Sequence, residues 1–329
     1  MILAQFHLAF LRFHNAVIDH LRKDPALADQ SAERIFKMAQ RQVRWHYQWI
    51  ILHEFLPLTI GQERVDDIIK NGLRFYRVDD DSDGRRNRRS KDPEIPIEFS
   101  VAAYRFGHSQ IRPSYRLNFG PSVTPAAPFF AFLFDDSQDP NDPDPIDLRG
   151  GKRAPRRFVD WQTFFNFGDG NFRPNKKIDG KLSSVVMLLP GSRGPAPGLP
   201  ADGVQSLASR NLMRHINFGI PSGQAIARRM NLPALTPTQL EALTPFGMEK
   251  STPLWFYILK EAEIMENGLR LGPVGGRIVG EVFIGLLKAD ETSYLATRPN
   301  WTPVLPSTAP GDFRITDLLT FAGVVPPLN

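Results

Sequence analysis

Near the N-terminus, apolar side chains return every three or four positions. This spacing predicts an amphipathic helix that ends near Pro25. A second apolar run follows the capping candidates Asp29 and Ser31, and Pro57 is expected to stop it. Its last turns, at residues 45–55, are apolar almost all round. A helix without a polar stripe is expected to cross a hydrophobic core.

Helical patterns continue along the chain, between loops rich in proline and glycine. Apolar residues 99–106 share one helical face, and the loops are densest at residues 136–157 and 189–203. The glycine-rich run 275–280 is expected to allow close helix packing. Helices resume at residues 205–214, 223–230, 253–267 and 276–287. The sequence therefore predicts a mainly α fold with long Pro/Gly-rich loops, as one domain over residues 1–329.

The composition excludes several chemistries. The chain has no cysteine, which rules out disulfides, thiolate zinc sites, iron–sulfur clusters and a cysteine nucleophile. A net charge of +5 does not demand nucleic acid, and the charged segment 79–91 is expected to be a solvated loop rather than an anion-binding patch. No apolar stretch is long enough to predict a membrane span. No secretory signal is recognisable. A soluble chain is expected, cytoplasmic or secreted without a leader, and the compartment stays open.

Most of the seven histidines are expected to be structural, but the surroundings of His108 differ. His108 lies late in an apolar helix, Gly107 leaves room beside it for a planar group, and Arg105 lies one turn earlier. An iron porphyrin needs a neutral imidazole ligand, a hydrogen-bond acceptor for the other ring nitrogen, and guanidinium groups for its propionates. The pattern alone still favours a core histidine over a haem ligand.

Several motifs resemble those of the animal-type haem peroxidases, the myeloperoxidase and peroxinectin superfamily, which has many bacterial members. Residues 103–111, Ala-Tyr-Arg-Phe-Gly-His-Ser-Gln-Ile, resemble the proximal-helix motif of that superfamily. Residues 10–15 resemble its Leu-Arg-Glu-His-Asn helix, and residues 42–58 resemble the long helix that follows. Asn-Leu-Met-Arg at 211–214 and Gly-Ile-Pro at 219–221 match its Asn-x-x-Arg segment and Gly-Leu-Pro loop. The intervening four residues depart from the usual Ser-Arg-Asp-His.

The resemblance implies specific roles around haem b. His108 would bind the iron, Asn211 would accept a hydrogen bond from its other ring nitrogen, and Arg105 and Arg214 would contact a propionate or line the haem edge. An amide, unlike a carboxylate, does not draw the imidazole toward imidazolate. The implied activity is that of a haem peroxidase. It would use hydrogen peroxide to oxidise small reducing substrates or halides through a ferryl intermediate, in a response to oxidative stress. The oligomeric state stays open.

In the superfamily, the distal histidine, the distal arginine, the calcium ligands and the carboxylates for haem esters belong to a region that would lie upstream of Met1. We therefore expect an N-terminally incomplete fold, from a misplaced gene start rather than a naturally shortened chain. Whether this chain alone is active stays open. His7 or His14 could substitute on the distal side, although core packing is the stronger expectation for both.

Two other functions are alternatives to the peroxidase. The first is a non-catalytic haem-binding or interaction protein that keeps only the proximal half. The second is a haem-dependent fatty-acid dioxygenase. In that branch the radical-forming tyrosine stands three residues before the proximal histidine, where this chain has Arg105, and Tyr104 stands at four. The spacing therefore favours a peroxidase over a dioxygenase.

Overall fold

The computed structural model describes residues 1–76, 93–121, 128–133, 141–142, 147–148, 157–189 and 204–325. The charged segment 79–91 and most of the two densest Pro/Gly-rich loops lie outside these residues. The predicted mainly helical fold is confirmed. The α-helices are α1 (Ile2–Arg22), α2 (Ala32–Ile50), α3 (Leu56–Ile60), α4 (Gln62–Asn71), α5 (Leu207–Asn217), α6 (Gly223–Arg229), α7 (Leu254–Met265), α8 (Pro273–Ala289), α9 (Tyr294–Thr297) and α10 (Ile315–Phe321).

Residue contacts divide the chain into two compact units, each built from separate stretches of sequence. The first unit comprises Met1–Ile51, Arg112–Pro174 and Arg298–Asn329. The second comprises Leu52–Ile111 and Asn175–Thr297. The single domain over residues 1–329 stays a prediction, because this division groups contacts and does not test whether either unit folds alone.

In the first unit, α1 and α2 form as their spacing predicts and pack against each other. The hydroxyl of Ser31 accepts a hydrogen bond from the backbone N–H of Arg34, which caps α2. Phe13 of α1 is fully buried, with its ring 5.9 Å from that of Phe313 and 5.8 Å from that of Phe321. Burial of this aromatic cluster stabilises the unit by removing apolar surface from water.

The prediction for the end of the second helix is wrong in two respects. The chain does not stop at Pro57: after α2 it makes one π-helical turn, Ile51–Phe55, and continues as α3 with Pro57 in its first turn. Proline is tolerated there because the missing N–H has no partner in a first turn. The segment is also not buried all round, since Tyr47 and His53 are exposed. Helical structure breaks at Gly61, whose φ of 89° favours glycine.

A short antiparallel hairpin forms in a region for which the sequence analysis predicts no regular element. Strand β1 (Ser114–Pro121) pairs with β2 (Pro128–Phe132), and Ser114 lies opposite Phe132. Leu117 of β1 is fully buried in the first unit. The alternation of Tyr115, Leu117 and Phe119 with polar residues is the signal of this strand that the prediction of loop missed.

In the second unit, α8 packs on α3, α4 and α7. The glycines of α8 serve close packing, as expected: a Cβ on Gly280 would lie 2.6 Å from Ile60 and 2.7 Å from Ile68. At the start of α8, the backbone N–H groups of Val274 and Gly275 donate to the carboxylate of Glu261 on α7. This fully buried side chain caps α8 from a neighbouring helix.

We predict that Glu261 makes stability depend on pH. Burial raises the pKa of Glu261 from 4.5 to about 7, although the two N–H groups favour its charged form. A carboxyl with a raised folded pKa contributes stability below its unfolded pKa and loses that contribution as the pH rises through the folded value. Glu261→Gln keeps an oxygen for both N–H groups but cannot ionise. Its free energy of unfolding should therefore lack a decline of up to about 3 kcal/mol between about pH 5 and pH 8.

Urea unfolding across this pH range measures the difference. Glu263→Gln, in the same helix but partly exposed and paired with Lys260, is the matched control and should keep the wild-type decline. Equal slopes for the wild type and Glu261→Gln would contradict this role of Glu261.

Candidate functional site

The segment that carries His108 is helical, but it is not the regular α-helix that the apolar stripe predicts. A π-helical turn, Glu98–Ala102, leads into a 3₁₀ helix, Ala103–His108. Ala102, the last residue of the π-helical turn, has non-helical angles, φ −132° and ψ −72°, where the two helical segments meet. Residues three apart eclipse each other in a 3₁₀ helix, so Arg105 and His108 lie on one face.

A hydrogen bond joins this segment to α5. The side-chain amide of Asn211 meets Nδ1 of His108, with 2.8 Å between its Nδ2 and that ring nitrogen, and the direction of this hydrogen bond depends on the tautomer of the ring and the orientation of the amide. Asn211 is 1% exposed and is the buried residue of α5, which begins at the side-chain cap Ser206. The structure therefore brings together two of the predicted site residues, which lie far apart in the sequence.

The two predicted arginines complete a positively charged cluster around His108. Burial lowers the pKa of His108 to about 4, and the charges of Arg105 and Arg214 add to the effect. The pKa of Arg105 is lowered as well, by burial and then by Arg214. Within the described part of the chain neither guanidinium forms an ion pair, and Nε of Arg105 is buried without a partner. The cluster thus has two cations and no compensating carboxylate.

His46 shows what a satisfied core histidine looks like in this protein. Its pKa is also lowered to about 4 by burial, but both of its ring nitrogens are bonded. Nδ1 donates to the carbonyl of Gln42, while Nε2 accepts from the backbone N–H groups of Val304 and Leu305. At His108, by contrast, no hydrogen bond from a described residue reaches Nε2. This difference separates a structural histidine from a candidate ligand.

The residues present fit a haem group. Oδ1 of Asn211 is buried without a partner, and a 180° turn of the amide would bring it to Nδ1 of His108. Nδ1 would then donate, leaving the lone pair of Nε2 free for a metal. A Cβ added to Gly107 would meet nothing within 4 Å, so there is open space beside the ring. Among described residues no cluster of three His, Asp or Glu side chains could hold a bare ion, and a lone imidazole suits iron held by a macrocycle.

Aromatic neighbours of the site are not identifiable from the sequence pattern. Nε1 of Trp255 donates to the backbone carbonyl of Arg105 at 3.2 Å. The ring of Tyr104 stacks on Phe99, with centroids 4.8 Å apart and planes 9° apart, and meets Phe283 edge-on. These contacts fix the 3₁₀ segment on α7 and α8. Their only signal in the sequence is apolar character.

The two histidines considered for the distal side both lie in the first unit. His7 is exposed on α1, and the ring of His14 meets Phe36 edge-on at 5.2 Å. The expected core packing is therefore wrong for His7, and His14 is only half-buried against a Phe36 side chain that is 46% exposed. A distal role for either residue stays a prediction. No helix of the described ranges is long and apolar enough to cross a bilayer.

Comparison with known proteins shows which proteins this chain resembles. Residues 1–138 match the model of the family described as animal haem peroxidase. A chorion peroxidase of Aedes aegypti is 25% identical over 98% of this chain, and a peroxidase-like protein of Margaritifera margaritifera is 34% identical over 33% of it. Peroxidase A from Dictyostelium discoideum has a similar fold, with a TM-score of 0.50 and 20% identity over 87% of the chain. These similarities agree with the resemblance to the animal-type haem peroxidases, and the family match covers the part of the chain that contains His108.

The chain covers only part of these relatives. It spans 37% of the chorion peroxidase, 13% of the Margaritifera protein and 48% of the Dictyostelium chain. The family described as animal haem peroxidase generally binds haem. The activity of the full-length relatives is therefore assigned to this chain only as a proposal.

We predict that Asn211 controls the protonation of His108. Asn211→Asp places a carboxylate beside Nδ1, and an adjacent opposite charge raises the pKa of an imidazole by about 1–3 units. The pKa of His108, about 4 in the wild type, should rise above about 5 in the variant. NMR titration of the ring Cε1–H in the haem-free chain measures both values.

Asn217→Asp is the matched control, because Asn217 is exposed at the end of the same helix. It should leave the pKa of His108 near the wild-type value. An unchanged pKa in Asn211→Asp would show that the residue at position 211 does not control the protonation of this ring.

Proposed function

We propose that this chain holds haem b through His108 and supplies the proximal side of a peroxidase site. The proposed reaction uses hydrogen peroxide to oxidise small reducing substrates or halides. The observation that carries the proposal is the buried pairing of His108 with Asn211, beside two arginines without carboxylate partners. Similarity to animal haem peroxidases supports the choice of haem as the group at this site.

Asn211 has the task of orienting the imidazole. With its oxygen toward Nδ1, the amide accepts a hydrogen bond from the Nδ1–H group and holds the ring in the tautomer whose Nε2 lone pair is available. Because an amide is neutral, it does not pull that proton away, and the ring stays a neutral imidazole. The lowered pKa of His108 agrees with this task, since a protonated ring cannot bind a metal.

In this proposal, Arg105 and Arg214 bind the propionate carboxylates of haem. Burial of Arg105, and then the charge of Arg214, lower the pKa of Arg105, and two propionates would relieve both costs. The unpartnered Nε of Arg105 is a donor available for such a carboxylate. When bound, haem supplies the iron that reacts with peroxide and takes electrons from the donor.

Peroxide cleavage also needs a base that moves a proton between the two oxygens, and a cation that stabilises the departing charge. The proposal assigns neither task to a residue of the second unit. A haem-binding protein without peroxidase activity is therefore the second candidate, and it shares the His108 site. The dioxygenase is less well supported, because Tyr104 stacks on Phe99 and does not take the position of Arg105.

Haem binding is the first prediction from this proposal. The purified chain, mixed with haemin, should show a shifted Soret band that His108→Ala abolishes, with haem affinity reduced more than about tenfold. His20→Ala is the matched control, since His20 is exposed near the end of α1, and it should keep the wild-type spectrum. A Soret shift that survives His108→Ala would contradict the assignment of the ligand.

Peroxidase activity is the second prediction. The haem-loaded chain should oxidise a chromogenic donor only when hydrogen peroxide is present, and Asn211→Ala should lower the rate by about 10- to 100-fold while haem stays bound. Haem binding without turnover would favour the non-catalytic protein. Oxygen uptake with an unsaturated fatty acid, without peroxide-dependent donor oxidation, would favour the dioxygenase.

A further inference from the structure

A cleft of about 590 Å³ lies in the second unit, between α6, α8 and two chain segments. The segments are residues 74–76, which follow α4, and residues 96–98, which lead into the π-helical turn before His108. The volume of the cleft is typical of small-molecule sites. No residue of the proposed haem site lines it, so a ligand bound here would be separate from haem.

The walls of the cleft are mostly apolar. Ile226 and Met230 contribute from the α6 side, Ile278 and Val282 from α8, and Phe75 from the segment after α4. Such walls favour a ligand with an apolar body, because filling the cleft removes apolar surface from water.

The charges next to α8 balance one another. Glu281 accepts hydrogen bonds from the backbone N–H groups of residues 74, 75 and 76. Arg277 pairs with Asp67 through Nη2, and its Nη1 lies 3.6 Å from the carboxylate of Glu281. Arg74 pairs with Asp67 as well. Two guanidinium groups therefore share two carboxylates, and an anionic ligand would find no cation here without a carboxylate beside it.

Two further charges of the lining are open to water. Arg229, at the end of α6, is exposed, and Glu98, in the π-helical turn, is half-exposed. Water solvates both groups, so neither one requires a ligand.

The lining also contains two hydrogen-bond donors that are buried without a partner in the described part of the chain. One is the hydroxyl of Tyr76, whose residue is 6% exposed. The other is Nη1 of Arg277, because 3.6 Å from Glu281 is beyond hydrogen-bond distance. A buried donor without an acceptor costs free energy. A ligand that brings an acceptor into the cleft can therefore recover that cost.

Of these two donors, the hydroxyl of Tyr76 is the one in uncharged surroundings. Burial raises the pKa of Tyr76 and no neighbouring charge contributes, so the hydroxyl stays a neutral donor. Its ring packs directly on α8, since a Cβ added to Gly285 would lie 2.4 Å from the ring. Its backbone N–H is held by Glu281 at 2.9 Å. The donor is thus fixed in place before a ligand arrives. Nη1 of Arg277, in contrast, already faces a carboxylate.

We propose that this cleft binds a small uncharged molecule with an apolar body and a ketone-type oxygen, which accepts a hydrogen bond from the hydroxyl of Tyr76. The apolar body would lie against the wall formed by α6 and α8. A hydrocarbon of the same shape would fill the cleft but leave the hydroxyl without a partner. A carboxylate would add a charge that the network around Arg277 does not balance.

Three compounds that share a naphthalene ring test the nature of the ligand. 2-Acetylnaphthalene has a neutral oxygen, 2-isopropenylnaphthalene has a CH₂ group in place of that oxygen, and 2-naphthoate is an anion. NMR titration of the full haem-free chain should show that 2-acetylnaphthalene binds more tightly than 2-naphthoate. The haem-free chain makes the result independent of the proposed peroxidase function.

Tyr76→Phe tests the donor. Relative to the wild type, it should weaken 2-acetylnaphthalene against 2-isopropenylnaphthalene by about threefold or more. Comparing this ratio of affinities between the two proteins cancels the different hydration of the compounds. The variant removes a hydroxyl that has no partner, so urea unfolding should show no loss of stability.

Two other variants are controls for the assignment to Tyr76. Tyr47→Phe removes a hydroxyl from an exposed side chain outside the lining and should leave the ratio unchanged. Arg277→Lys keeps a positive charge for Asp67 but removes Nη1, and it should also leave the ratio unchanged. A ratio that falls in Arg277→Lys and not in Tyr76→Phe would overturn the assignment of the donor.

Other results would overturn the proposal as well. One is the absence of 2-acetylnaphthalene binding to the wild-type chain, and another is tighter binding of 2-naphthoate. An equal ratio in the wild type and Tyr76→Phe would show that the ligand oxygen does not meet this hydroxyl. The comparison of these two proteins decides the case even if Arg277→Lys is unstable.

Discussion

The hydrogen bond between Asn211 and His108 is the interaction on which the candidate haem site depends. It is the contact that ties the imidazole to α5, and it involves an amide that is almost completely buried. Burying an amide without a partner costs about 1–3 kcal/mol, so the fold requires this pairing or an equivalent one. The same bond decides which ring nitrogen carries the proton and therefore which one can bind a metal.

Elements with strong periodicity could be predicted from the sequence, and irregular ones could not. The spacing in α1 gives its end to within a few residues, and the predicted helix 253–267 agrees with α7 to within a few residues at each end. The π-helical turns at Ile51–Phe55 and Glu98–Ala102 have no such signal, because they follow from tertiary packing rather than from local propensity. The short helices α4 and α10 went unpredicted for a similar reason.

The site shows the same division between local and distant information. The relation of Arg105 to His108 is local, so it can be read from their spacing. The pairing of His108 with Asn211 joins distant parts of the chain, and only the resemblance to a known family indicated it. Likewise, Tyr76 and Arg277 line one cleft although they lie far apart in sequence. Which polar groups already have partners, as Glu281 does, and which have none, as the hydroxyl of Tyr76, is visible only in the folded chain.

The tautomer of His108 in the haem-free chain tests the central claim most directly. Two-bond ¹H–¹⁵N correlation spectra distinguish a ring protonated at Nδ1 from one protonated at Nε2. The account predicts that the proton is on Nδ1, held by the oxygen of Asn211, and that Nε2 is bare. A neutral ring with its proton on Nε2 would contradict it, because the nitrogen meant for iron would then be occupied.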